Sequence, residues 1–347
     1  MPALWYPGDD TQFGAESVGQ RGDQGKFRAH LTRGEQASDA GCVPVDSAGE
    51  LGLGNAQINP QGIQRPDHRV SLGDLAGSLL VSHSRQVSET MIAVDGGKVW
   101  ADDNGAGEGP PLVLLHPGVG DSRVWDPILP ALAASHRVIR YDARGYGRSP
   151  APTVTFSLLA DLIAVLDHFG IGSAAIVGCS QGGNSGLGLA IGQPQRVAAL
   201  VLLCPGISGY EQDEPDDPEL EAEFERTAAA EDVDGVASVM QRVWGRAGAT
   251  PDAMEQFRSA ARAMLFNGNL EQDDPPIFDR LGEIAVPASL LVGDADYAPL
   301  VAANQQAAAR IPDCELIEVA GVDHLPPLRV PDLVLQTIAS TLARVPH

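Results

Sequence analysis

Ala174-Ala175-Ile176-Val177-Gly178-Cys179-Ser180-Gln181-Gly182-Gly183 is the stretch whose reading decides the fold of this chain. An apolar run of strand character ends in a G-x-S-x-G pentapeptide. Gly183, Gly186, Gly188 and Ala190 follow, small residues suited to a helix packed close against a sheet. Such a pentapeptide carries chemistry where a buried strand turns sharply into a helix. The turn forces the serine backbone into a strained conformation and exposes its hydroxyl, and the two flanking glycines remove side chains that would collide. The spacing therefore predicts a strand, a nucleophile elbow and a helix, with Ser180 as the nucleophile.

Outward from the elbow, apolar runs and amphipathic segments alternate. Met91–Val94, an Asp95-Gly96-Gly97 turn and Lys98–Ala101 read as a hairpin. Strands are predicted at Leu112–Leu115, Arg137–Tyr141, Ala174–Cys179, Val197–Cys204, Ala288–Gly293 and Glu315–Val319. Helices are predicted at Val124–Ala134, interrupted by Pro127 and Pro130, at Ser157–Phe169, Leu300–Arg310 and Pro331–Ala343. Strands alternating with helices specify a doubly wound, mostly parallel α/β sheet. The alternation breaks at residues 205–282, which read as an inserted helical cap, so the core spans 86–204 and 283–347. The acidic run from Glu211 to Glu225 is a solvated loop and helix face, without the spacing of a calcium loop.

Residues 1–85 are rich in Gly, Gln, Asp, Ser and Arg and lack sustained periodicity, which predicts a disordered extension. Leu75–Val81 could form a helical turn or two. Met91 stands where the first strand begins, which raises the expectation that the segment lies upstream of the functional protein.

The chain has 347 residues, 44% of them apolar, ample for a large core. Its formal charge of -23 repels nucleic acid and anionic membranes, so neither is an expected partner. The four cysteines, at 42, 179, 204 and 314, lack the spacing of a zinc site or redox pair and read as reduced, buried side chains. No signal peptide or membrane-length apolar run is present, which makes the cytoplasm the default location. Oligomeric state is not legible.

A serine hydroxyl needs a base to remove its proton, so the elbow calls for a histidine and an orienting acid downstream. Asp296 stands past the Ala288–Gly293 strand, and His324 in the loop after the next one. Both are carboxyl ends of parallel strands, where open α/β sheets bind ligands. Asp294, two residues from Asp296, is the competing acid. Asp323 is too close to His324 in sequence to bridge to it. Stabilising an oxyanion calls for two N–H donors: Gln181, following the nucleophile, and Gly118 in His116-Pro117-Gly118-Val119-Gly120, with Val119 the second choice because Pro117 has no N–H. His116 braces this loop. Val119, Trp244 and Phe266 are candidate substrate contacts, with Met254, Phe257, Met264 and Leu265 further apolar cap residues.

With these motifs in order, residues 88–345 resemble the α/β-hydrolase superfamily. His116-Pro117-Gly118 resembles its oxyanion loop, with Trp125 where an aromatic often follows. Asp142-Ala143-Arg144-Gly145-Tyr146-Gly147-Arg148-Ser149 matches its D-x-R-G-x-G-x-S turn, and Gly293-Asp294-Ala295-Asp296 its G-x-x-D acid motif, which favours Asp296. Pro117 replaces the usual glycine, and Arg329 stands where a glutamate commonly precedes the Pro331 turn. The serine nucleophile is unlike the aspartate of haloalkane dehalogenases and epoxide hydrolases. Gln181 differs from the tryptophan of proline iminopeptidases, and Cys179 from the asparagine of carbon-carbon bond hydrolases. The resemblance thus implies an enzyme of the carboxylesterase or enol-lactonase type, acting on a small-molecule ester or lactone through an acyl-enzyme, without cofactor or metal. Cofactor-free perhydrolases, carbon-carbon bond hydrolases and a slow-turnover ligand receptor on the same fold are the alternatives.

Overall fold

The computed structural model describes residues 88–105, 107, 109–211, 217–268 and 270–346, all within one compact unit. The expectations for residues 1–85, including the Leu75–Val81 turn, and for Cys42 lie outside the described residues.

The fully apolar runs become the centre of the sheet. Strands β1 (Ser88–Val94), β2 (Gly97–Asn104), β3 (Leu112–Leu115), β4 (Val138–Tyr141), β5 (Ala174–Cys179), β6 (Val197–Leu203), β7 (Ala288–Gly293) and β8 (Cys314–Val319) lie in the order β1-β2-β4-β3-β5-β6-β7-β8. β2 pairs antiparallel with β1 and β4, and every other neighbouring pair is parallel. β3, β4, β5 and β7 are buried along their whole length, as strands covered on both faces must be.

The covering helices are α1 (Leu129–Ala133), α2 (Leu158–His168), α3 (Gln181–Gly192), α7 (Ala298–Arg310), α8 (Pro326–Arg329) and α9 (Pro331–Leu342). Three more, α4 (Pro218–Ala229), α5 (Val233–Trp244) and α6 (Pro251–Phe266), occupy the segment between β6 and β7. The single helix expected over Val124–Ala134 is instead a 3-10 turn at Ser122–Trp125 followed by the short α1. Pro127 and Pro130 lack the N–H that a continuous helix needs there, and α1 starts around Pro130. His168 is the last residue of α2.

The Asp142–Ser149 turn joins the sheet to the loops above it. The Asp142 carboxylate accepts from the N–H groups of Ser122 and Arg148, while Ser149 Oγ accepts from Trp100 N–H. Arg144 donates to both oxygens of Asp161 at 2.7 Å, and both side chains are buried. A paired, doubly bonded ion pair satisfies charges that would otherwise be costly to bury. Among the described residues no helix is long and apolar enough to cross a membrane.

Candidate active site

Ser180 sits between β5 and α3 with φ 50° and ψ -117°, a left-handed conformation that costs a non-glycine residue roughly 1–3 kcal/mol. The surroundings hold it there. Its N–H donates to Leu203 O at 3.0 Å, and its carbonyl accepts from Asn184 and Gly206 N–H, each at 3.0 Å. The elbow glycines answer to close backbone approach: a Cβ on Gly178 would stand 2.5 Å from Gly182 O, and one on Gly182 would stand 2.4 Å from Leu115 O. The turn thus presents Ser180 at the start of α3.

His324 Nδ1 lies 2.8 and 3.0 Å from the two oxygens of Asp296, and each residue is only 1% exposed. With a carboxylate facing it, Nδ1 carries the proton, which leaves the Nε2 lone pair free to accept another. Tyr297 N–H fixes Asp296 Oδ1 from the other side. Asp294 accepts from Gly321 N–H at 2.6 Å, so it braces the β8–α8 loop and does not reach the histidine. His324 stands beside the elbow: the thiols of Cys179 and Cys204 both point at its carbonyl, at 3.6 and 3.5 Å. Its ring packs on Trp244 with centroids 4.5 Å apart, and the His324 backbone N–H donates to Trp244 O. Among the described residues Ser180 Oγ and His324 share no hydrogen bond. Such bonds commonly tighten only when substrate arrives.

Asp323 has a different task from its neighbour. Fully buried, it accepts from Ala247 and Leu325 N–H and pairs with Arg329 at 2.8 Å, while Arg329 also donates to Gly248 O. The arginine that departs from the superfamily's glutamate thereby ties the His324 loop to the connection between α5 and α6.

The loop after β3 is held from both ends. His116 Nε2 accepts from Ala143 N–H at 2.9 Å, so Nδ1 is the protonated nitrogen and donates to Pro117 O, which also accepts from Gly120 N–H. Proline at 117 costs no donor, because only its carbonyl is used. Gly120 and Asp121 meet α6: Asp121 N–H donates to Gln256 Oε1, and Ser259 Oγ donates to Asp121 Oδ2 at 2.6 Å. Burial alone would raise the Asp121 pKa, but hydrogen bonds from Arg123 and Ser259 outweigh it and hold the carboxyl well below the usual range. Gly118 lies against Gln181, where an added Cβ would stand 3.1 Å from Oε1. Gln181 is the first residue of α3, so its N–H has no acceptor within the helix.

Of the candidate substrate contacts, Val119 is buried beside Gly118 and Trp244 covers the histidine. Phe266 is 55% exposed at the end of α6, in solvent and not in an enclosed wall, and Phe257 is wholly buried. The cysteine reading holds for Cys179 and Cys204, which are free and buried, and needs correction for Cys314. Cys179 and Cys204, 25 residues apart, have sulfurs 3.9 Å apart, because β5 and β6 are neighbours, and Cys314 is half-buried. Burial, then Cys179, pushes the Cys204 thiol up, which keeps it protonated. Cys204, Asp296 and His324 have potential ligand atoms within 4.8 Å of one another. Each of these groups already has a partner, the Cys204 thiol in the His324 carbonyl and Nδ1 in the Asp296 carboxylate.

Sequence reading missed the segment after α6. Glu271 accepts from Gln181 Nε2 at 2.8 Å, and Asp274 accepts from Asn184 Nδ2 at 2.8 Å. The contacts join residues 90 apart, and no periodic pattern signals them. The one available hint was a pair of amides, Gln181 and Asn184, on the first turn of a helix that must bury its face.

Residues 110–288, more than half the chain, match a family model described as alpha/beta hydrolase fold. A provisionally named carbamate hydrolase, RutD, of Caulobacter segnis is 36% identical over 110 residues, 30% of this chain and 40% of that protein. A 2-hydroxymuconate semialdehyde hydrolase of a Pseudomonas species is 38% identical over 128 residues, 35% of this chain and 44% of that protein. The chain thus matches less than half the length of these relatives. Among solved structures, the enol-lactonase of Burkholderia xenovorans superposes with a TM-score of 0.59 at 23% identity, over 74% of this chain and all of that one. Est816, an N-acyl homoserine lactone degrading enzyme, superposes with a TM-score of 0.57 at 27% identity, over 72% of this chain and 99% of that one. With the strand order and elbow described above, these matches establish that the chain belongs to the alpha/beta hydrolase fold family.

Proposed function

We propose that this chain is a serine hydrolase that cleaves a carboxylic ester or lactone through an acyl-enzyme. The observation that carries the reading is a left-handed Ser180 at the start of α3 beside a buried Asp296–His324 pair whose tautomer leaves Nε2 able to accept a proton. Ser180 Oγ attacks the carbonyl carbon as His324 Nε2 takes the hydroxyl proton, and Asp296 stabilises the imidazolium. The N–H groups of Gln181 and Gly118 hold the developing oxyanion, each worth roughly two to three orders of magnitude in turnover. Collapse expels the alcohol oxygen, which takes the proton from His324. Water then attacks the acyl-enzyme by the same route and restores Ser180.

Val119 and Trp244 line the site in this reading, and the substrate is a small molecule. The lactone-degrading Est816 supports this class. One relative, the 2-hydroxymuconate semialdehyde hydrolase, favours a second reading, carbon-carbon bond hydrolysis with the same three residues. Purified full-length protein assayed on short-chain activated esters, lactones and vinylogous diketones separates the two. Ester or lactone turnover that falls at least 1000-fold in Ser180→Ala is expected. Turnover of the diketones alone would replace the first reading with the second, and a wild-type rate in Ser180→Ala would remove both.

A further inference from the structure

We propose that Glu271 is a positioning residue for the oxyanion-binding pair, acting through the side chain of Gln181 to keep that amide seated against Gly118. The inference rests on the serine hydrolase reading and extends it to a residue outside the triad and its donors.

Gln181 contributes two different things at one position. Its backbone N–H, at the start of α3, has no acceptor within the helix. Its side chain turns back and lies across Gly118, with Oε1, Cδ and Cβ at 3.1, 3.4 and 3.7 Å from where a Cβ on that glycine would be. The two proposed donors are therefore in contact through this amide. Its orientation is set by the other end, where Nε2 donates to Glu271 Oε1 at 2.8 Å. Without that acceptor the amide is free to swing, and the glycine loop loses the surface it rests on.

Glu271 is itself fixed. Phe156 N–H donates to Leu270 O at 3.0 Å and Gln272 N–H donates to Phe156 O at 2.8 Å, a parallel bridge that clamps residues 270–272 to the segment leading into α2. Three residues on, Asp274 accepts from Asn184 Nδ2, and Asn184 Oδ1 accepts from Ser208 N–H. The stretch from Leu270 to Asp274 thus runs along the first turn of α3 with one carboxyl on each of two amides. The site is costly to maintain. Burial, then Asp274, raises the Glu271 pKa to about 7, with Asp273 and Asp161 of α2 adding repulsion and Gln181 alone lowering it; the phenol of Tyr146 faces the same group. Ionisable groups held away from their ordinary pKa cluster at functional sites.

The test is the rate at which a fluorophosphonate labels Ser180 in the full chain, since that probe needs the nucleophile and oxyanion donors but no knowledge of the natural substrate. Glu271→Ala is expected to label about 10-fold more slowly, as small misplacements of catalytic groups do. Glu271→Gln, whose amide oxygen still accepts from Gln181, should recover to within about 3-fold of wild type, whereas a purely electrostatic role would leave it as slow as Glu271→Ala. Gln181→Ala should label as slowly as Glu271→Ala, and the double variant no more slowly than either, since both break one link. Labelling of Glu271→Ala at the wild-type rate, failure of Glu271→Gln to recover, or additive losses would each overturn the proposal. If Glu271→Ala does not fold, Gln181→Ala decides, and a wild-type rate there overturns it. Absence of labelling in the wild type removes the serine hydrolase reading and this inference together. Labelling that Ser180→Ala abolishes and Glu271→Ala leaves unchanged removes this inference alone.

Discussion

The two sides of the site are held by different means. On the core side, Ser180, Asp296 and His324 leave the ends of β5, β7 and β8, and sheet pairing plus a strained turn fix their positions. On the inserted side, helices α5 and α6, their connection and the Leu270–Asp274 stretch reach the same site through side-chain polar contacts: Ala247 with Asp323, Gly248 with Arg329, Ser259 with Asp121, Glu271 with Gln181. Backbone pairing tolerates sequence change, whereas each side-chain contact depends on one residue at one position. The core side is thus suited to keep a chemistry constant, and the inserted side to vary what the chemistry acts on.

The hardest test of the core side is Asp296→Asn. An asparagine at this position can donate to Nδ1, which stabilises the wrong tautomer and protonates Nε2. Turnover on an activated ester is expected to fall by about 10,000-fold, or ~5 kcal/mol of transition-state stabilisation, with the thermal midpoint little changed. Survival of more than a tenth of the activity would mean that Asp296 is not the orienting acid.

Removing Asp323 tests the joint between the sides. Asp323→Ala leaves Arg329 with 9% of its side chain exposed and no carboxylate, and it orphans the N–H groups of Ala247 and Leu325. A loss of about 3 kcal/mol in urea unfolding is expected. An unchanged midpoint would show that the inserted helices are not locked to the His324 loop by this pair.

The smallest effect is one of pH. Because the Glu271 pKa is raised to about 7, mainly by burial, the folded protein binds this proton more tightly than the unfolded chain, whose glutamate titrates near about 4.3. Stability contributed by this group therefore declines as pH rises through that window and is lowest above 7. Glu271→Gln removes the penalty, and at pH 8 it should be more stable than wild type by of order 1–2 kcal/mol, after allowance for partial exposure, with no difference at pH 4. The opposite sign at pH 8 would show the carboxylate to be stabilising.

The core side was legible in the sequence because period and punctuation carry it. Apolar runs became buried strands, Gly178 and Gly182 marked close backbone approaches, and Gly293-Asp294-Ala295-Asp296 put two acids at a strand end, of which Asp296 pairs with His324. Less was legible where the outcome depended on packing between distant segments. No spacing rule brings Cys204 to Cys179, Glu271 to Gln181 or Trp244 onto His324, since each contact depends on neighbouring strands or on how a helix docks. The Val124–Ala134 stretch shows a local failure: apolar spacing suggested one helix, and proline chemistry broke it in two. Phe266 shows the reverse, an aromatic residue at a helix end that the packing leaves in solvent.

An open eight-stranded sheet also has two margins, and β8 forms one of them. Unpaired N–H and C=O groups along a margin invite another chain to add a strand, the first step of aggregation. β8 carries Glu315 and Glu318 exposed on that rim, so an incoming strand would have to bury carboxylates of a molecule that is already strongly anionic. Charged residues on an edge strand oppose such pairing, as these two carboxylates do on β8.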